Sequence, residues 1–208
     1  MTSTRRRHSG FSLLELILAV AITAMACTAS ATVLKAVADT WQTTDDIHDA
    51  VSSTRHALTR LRTVIKQGRL FGYRSGSTLV FWANDDNNDL QINYAELQMV
   101  RYQPSERKLE LLDVYFPPGT PDGEIDTRST VLSPVEIAES SIVQILETDA
   151  YVRVRPLAYE IQQFSMALDT AGPDSRWVRF SLEVQRKNIS QHLHTLVGLR
   201  APAYYLLE

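Results

Sequence analysis

Residues 10–37 read GFSLLELILAVAITAMACTASATVLKAV. Within them, residues 12–34 carry a single charge, Glu15, and as a helix they are long enough to span a bilayer. The first half is rich in Leu, Ile and Val. The second half, residues 23–32, turns to Ala, Thr, Ser and Cys, small residues that let helices approach closely in a membrane or bundle. A carboxylate deep in a membrane helix costs roughly 2.5–3.5 kcal/mol on insertion scales, which makes Glu15 a functional candidate in need of a partner. No Lys or Arg lies between Arg7 and Lys35, so no cationic side chain of the same helix can serve. Ahead of the apolar stretch stands a short basic leader with Arg5, Arg6 and Arg7. A secretory signal peptide has its cleavage site after the apolar stretch and loses that stretch on processing. Here the only obvious processing point, Gly10–Phe11, precedes it. A cut there retains the helix, with the new amine of Phe11 about one turn from Glu15 of its own chain or of a neighbouring subunit.

The order basic leader, Gly10, Phe11, apolar helix and Glu15 resembles the prepilin leader of type IV pilins and type II secretion pseudopilins. The resemblance implies cleavage by a prepilin peptidase after Gly10 and N-methylation of Phe11. It also places Glu15 fifth in the mature chain, where the family carries its glutamate. It covers only about the first thirty residues.

The chain has 208 residues, with 21 basic and 24 acidic side chains and a formal charge of −3. Removing the three leader arginines leaves 18 basic against 24 acidic residues, or −6. An acidic exported portion gives no support for nucleic-acid binding. The leader arginines place the N-terminus in the cytoplasm and everything after Lys35 outside, so the expected location is the cytoplasmic (inner) membrane with an exported head. The one cysteine, Cys27, lies inside the span, and no intramolecular disulfide is possible.

Three segments are expected: a cleaved leader over 1–10, a long helix over 11–67 with its membrane part about 11–34, and a β-rich head over 68–208. Val37, Thr44, Val51, Leu58 and Ile65 recur every seven residues, with Val33, Ile47 and Leu61 at the three-four offset. Thr44 and Thr54 make this a poor seam for a free coiled coil, so part of the stripe is expected to pack on the head. Ending at a Gly68 cap, the helix would be roughly 84 Å long. Beyond it the period changes to two. Strands are expected over 78–83, 96–103 and 108–116, two more within 151–169, then 176–186, and a closing strand over 194–199. Residues 117–123 read as a loop. Ser133-Pro134-Val135-Glu136 has the signature of a capping box opening a helix to about Thr148. The fold class is α+β, a long helix followed by a mainly antiparallel sheet. Length and element order are nearest to the larger minor components, the J-type minor pseudopilin and its counterpart among type IV minor pilins. The chain lacks the C-terminal disulfide loop that many pilins close.

One constellation in the head suggests a site. Read as a twelve-residue calcium loop, residues 85–96 place Asp85, Asn87, Asp89 and Gln91 at positions one, three, five and seven, with Asn93 at nine and Glu96 at twelve. Ca²⁺ is therefore an expected ligand. Leu90 stands where such loops carry Gly, and an Asx-rich hairpin turn is the simpler alternative. His192 and His194 share a strand face without a third ligand, and His48 and His56 are about 12 Å apart along the helix. No nucleophile motif, P-loop or dinucleotide fingerprint is present, and nothing argues for an enzyme.

The functional expectation is a non-catalytic minor pilin or pseudopilin. Its partners are the prepilin peptidase, the inner membrane and other pilins through the helix. The rivals are a tip adhesin or substrate-binding module on the same scaffold, and a single-pass membrane enzyme that never assembles.

Overall fold

The structure, a computed structural model, describes residues 12–83, 85, 89–170, 172–186 and 189–199. Helix α1 spans Leu13–Lys66 with no Gly or Pro to interrupt it. The chain divides into two compact units, one ending at Asp46 and the other beginning at Ile47, and α1 contributes to both.

In the first unit an 18-residue stretch of α1 is apolar enough to cross a membrane, and none of it is buried. Leu13, Leu14, Ile17, Val20 and Ile22 are all exposed. The hydroxyls in this segment are satisfied internally. Thr23 donates to the carbonyl of Ala19 at 2.8 Å, Thr28 to Ala24 at 2.8 Å and Ser30 to Ala26 at 2.9 Å. Such back-bonding removes most of the penalty for a hydroxyl in hydrocarbon.

In the second unit the buried stripe of α1 is Ala50, Thr54, Ala57, Leu61 and Ile65. The expected heptad is thus met at Leu61 and Ile65, whereas Val51 and Leu58 are only half-buried. Small side chains at 50, 54 and 57 occupy the buried line in place of the large ones. Thr54 is fully buried, and its hydroxyl donates to the Ala50 carbonyl at 2.6 Å, so it leaves no orphan polar group. The helix closes with Gln67 and Gly68 amides bonded to Val64 and Ile65 carbonyls, a 3₁₀ tightening. Gly68 serves close approach at this point. A Cβ there would stand 3.0 Å from the Ile65 carbonyl oxygen and 3.1 Å from Leu199.

Five strands, β1 (Leu70–Arg74), β2 (Thr78–Trp82), β4 (Leu97–Gln103), β5 (Lys108–Val114) and β7 (Val152–Ala158), form an antiparallel sheet in the order β1-β2-β4-β5-β7. β8 (Ile161–Leu168), β9 (Trp177–Arg186) and β10 (Ile189–Gly198) form a second antiparallel sheet, with β9 central. β3 (Ile92–Asn93) and β6 (Val131–Leu132) make a small ladder. The class is α+β, as expected from the sequence.

Strand alternation sorts the core into two layers. Leu79, Phe81, Val100, Tyr102, Leu109 and Leu111 face one side of the large sheet and pack with Leu61 and Ile65 of α1 and with Val178, Phe180, Leu182 and Val184 of β9. Val80, Trp82, Leu97, Met99 and Leu112 face the other side and pack with Ile137, Ile142 and Leu146. Each fully buried Leu, Ile or Phe contributes about 1.5–3 kcal/mol. All five residues of β2 are buried because the strand is covered on both faces. The Tyr102 hydroxyl ties the two sheets together, donating toward the carbonyls of Ile161 (3.0 Å) and Gln162 (2.8 Å). Arg101 clamps the opposite layer, bonding Glu110 at 2.7 Å and Glu147 at 2.8 Å.

The closing strand expected over 194–199 begins earlier, at Ile189, and runs to Gly198. Two further expectations need correction. The helix foreseen from Ser133 to Thr148 is broken in two. The capping box forms, with Ser133 N donating to Glu136 Oε2 at 2.7 Å, but it opens only a 3₁₀ turn over Glu136–Ala138. Glu139 is extended, and α3 (Ser141–Thr148) starts afresh. Ser140 and Ser141 interrupt the run with weak helix formers, and burial of Ile137 in the sheet's outer layer sets the break. The second correction concerns the loop of residues 117–123, which ends inside a short helix, α2 (Asp122–Arg128).

Gly72 of β1 lies against this broken segment. A Cβ on it would come within 2.4 Å of the Ile137 carbonyl oxygen, a backbone atom that cannot step aside. Gly72→Ala is expected to destabilise the fold by about 1–3 kcal/mol through overpacking, seen as a lower urea midpoint for the full chain in detergent.

Candidate assembly site and the polar loop of the head

Gly10 and Phe11, the expected processing residues, lie outside the described residues. Immediately after them, Ser12 and Glu15 form a reciprocal cap on α1. The Ser12 amide donates to Glu15 Oε2 at 3.0 Å, the Ser12 hydroxyl to the same oxygen at 3.2 Å, and the Glu15 amide to Ser12 Oγ at 3.3 Å. The signature S-x-x-E is plain in Ser12-Leu13-Leu14-Glu15. Sequence reasoning assigned Glu15 only a cationic partner and missed this cap, although it read the same signature at Ser133. The carboxylate is turned back to the start of the helix, where the positive end of the peptide dipoles also favours it. A bond to the amide of Ser12 brings the carboxylate within one residue of the amine that a cut after Gly10 would create.

In the head, the described residues of the 85–96 loop bond to one another and to the neighbouring Arg69 and Trp82. Asp85 is buried; its Oδ2 accepts from Arg69 Nη1 at 2.8 Å and from the Leu90 amide at 3.3 Å, and its Oδ1 from the Asp89 amide at 3.0 Å. Asp89 accepts from the Gln91 amide at 2.7 Å and from Asn93 Nδ2 at 3.3 Å. Glu96, also buried, accepts from Trp82 Nε1 at 2.9 Å. The guanidinium of Arg69 lies over the Trp82 ring, 5.3 Å from its centroid, and so joins the two anchored carboxylates. Gln91 is exposed, and Asn87 lies outside the described residues. Burial pushes the phenol of Tyr94 above its ordinary value, and the Asp149 carboxylate adds to this. Leu90 has φ 60°, the left-handed bend that Gly supplies at this position of calcium loops.

The sequence marked these residues as a cluster of oxygen donors. It did not foresee that Arg69, just past α1, would meet Asp85, because that pair depends on β1 returning beside β2. Among the described residues no three His, Cys, Asp or Glu side chains gather as a metal group. His192 lies 3.4 Å from Glu183 across the β9–β10 ladder, and His194 is exposed on the same face.

Residues 5–31 match the family described as the prokaryotic N-terminal methylation motif. No curated protein and no solved structure matches the chain. The match supports a type IV pilin-like protein, and together with the exposed apolar helix it supports a single-pass membrane anchor, processing by a prepilin peptidase and assembly with other pilins.

Proposed function

We propose that this chain is a minor pilin or pseudopilin, a non-catalytic subunit cut after Gly10 and drawn from the inner membrane into a thin filament of a secretion or pilus system. The observation that carries the reading is the methylation motif running without interruption into a capped, lipid-compatible helix. In this reading the leader arginines stay in the cytoplasm, Lys35 and the exposed Trp41 stand at the far membrane surface, and the head lies outside. Phe11 supplies the amine and Glu15 the carboxylate that joins subunits. The test is the mass of the N-terminal peptide of protein purified from its native host. A mature chain beginning at methylated Phe11 is the expected result; a chain that retains the leader sinks the reading.

A second reading concerns the loop. The left-handed bend at Leu90 favours Ca²⁺ at Asp85, Asn87, Asp89, Gln91 and Glu96, since it gives the loop the turn a calcium cradle needs. Binding has to draw Asp85 from Arg69 and Glu96 from Trp82, which makes a weak site, with Kd on the order of 10⁻⁴–10⁻³ M. An ion that binds only the folded form at ~100 Kd stabilises it by about 2.7 kcal/mol. Thermal unfolding in calcium and in chelator checks this. The midpoint should rise for wild type and stay put for Asp85→Ala/Glu96→Ala. An unmoved wild-type midpoint leaves the loop as an internally bonded turn.

A further inference from the structure

The edges of the two large sheets are guarded unequally. β1 is five residues long, is bulged between Phe71 and Arg74, and has Gly72 pressed against the Ile137 carbonyl. β7 carries Arg153, Arg155 and Pro156, and its pairing with β5 is bulged. The Ile161 amide at the start of β8 donates to the Arg107 carbonyl, and a bulge follows before Gln163. Short length, charge, proline, bulges and cover are the usual devices that stop a sheet edge from pairing with another chain.

β10 has none of them. Ile-Ser-Gln-His-Leu-His-Thr-Leu-Val-Gly contains no Lys, Arg, Asp, Glu or Pro. It pairs with β9 in unbroken register from Ile189↔Arg186 to Gly198↔Trp177, and among the described residues its other side is open. Ser190, His192, His194 and Leu196 point to one face, exposed. Ile189, Gln191, Leu193 and Thr195 are half-buried on the other, next to buried Val197.

We propose that β10 is a self-association edge, at which two copies of this chain pair their β10 strands antiparallel with Leu193 opposite Leu193 of the second copy. The strand is self-complementary in charge, since two copies meet without opposing like charges, whereas self-pairing at β7 would set arginines together. The register follows from the period of two. Opposed residues must share a face, and centring on Leu193 sets Ile189 against Val197, so that apolar side chains meet on the inner face. Centring one residue on would set Leu193 against Thr195 and Val197 against Gln191. On the outer face the chosen register pairs His192 with His194. The inference does not depend on the membrane or filament reading.

Position-specific crosslinking of the full chain in native membranes tests it, with the lone Cys27 replaced by Ser. Opposed Cα atoms in an antiparallel pair lie about 4.5–5.5 Å apart, within disulfide reach. Under mild oxidation Leu193→Cys is expected to give a covalent dimer, and Val154→Cys, exposed on the guarded β7 edge, is not. Co-expressed Gln191→Cys and Thr195→Cys chains should crosslink to each other, which keeps the test open if Leu193→Cys folds poorly. Adding His192→Lys/His194→Lys, two exposed changes that create opposed like charges, should cut the Leu193→Cys dimer tenfold or more with the head's melting unchanged. The proposal is overturned if the position-193 dimer forms no better than the position-154 control and the 191/195 pair also fails. It is equally overturned if the lysines leave the dimer intact.

Discussion

Gly10→Val is expected to leave the leader on the chain, with mature protein reduced on the order of 10²-fold, the scale at which a misplacement of about 1 Å slows catalysis. A peptidase that cuts between Gly10 and Phe11 has to close on a backbone without a side chain at the first of these residues. Valine adds a stiff β-branched group there, whose bulk stands where the protease must close on the backbone. The substitution lies outside the apolar segment, and Arg5, Arg6 and Arg7 are retained, so insertion and orientation should be unchanged. The product is then a membrane-bound precursor heavier by ten residues, with no amine at Phe11. Mass spectrometry of membrane fractions reads the result directly. Efficient maturation of the Val variant would mean that the cut lies elsewhere, and the processing role of Gly10 would fall with it.

What the sequence made legible depends on how local the determining physics is. The limits of α1 could be read because apolar composition, freedom from Gly and Pro, and the stop at Gly68 are all local properties. β9 could be read because Val178, Phe180, Leu182 and Val184 alternate cleanly with polar neighbours. β1, β3 and β6 were missed. β1 is short and bulged, and β3 and β6 have two residues each, too few to show a period. The stripe of α1 that packs on the sheets was legible at Thr54, Leu61 and Ile65, and missed at Ala50 and Ala57, because large residues at heptad spacing pointed to Val51 and Leu58. Close approach to a twisted sheet selected Ala50 and Ala57 instead. The polar loop was located as a cluster of oxygen donors, but its partners Arg69 and Trp82 come from strands whose pairing is non-local. The Ser12–Glu15 cap is legible in the S-x-x-E spacing alone, which is a local property.

That cap changes what a substitution at Glu15 must separate. Glu15→Val removes a charge costing roughly 2.5–3.5 kcal/mol to place at the centre of a membrane helix, so insertion should be undiminished. It also removes the acceptor for the Ser12 amide and hydroxyl, a cap worth about 1 kcal/mol. A loss of assembly in this variant could therefore come from a frayed helix start or from a missing charge. Glu15→Gln distinguishes them. Gln keeps the reciprocal cap but carries no charge to pair with the amine of Phe11. Ser12→Ala does the reverse, leaving the carboxylate and removing the hydroxyl. If Glu15 joins subunits by charge, Glu15→Gln and Glu15→Val should both lose co-purification with partner pilins, while Ser12→Ala stays near wild type. A hydrogen bond to a charged group is worth about 1.5–3 kcal/mol, and every 1.4 kcal/mol is tenfold in binding. The expected loss is therefore at least tenfold for each Glu15 variant. The opposite pattern, with Glu15→Gln assembling like wild type and Ser12→Ala failing, would make Glu15 a helix cap and leave the amine to some other partner.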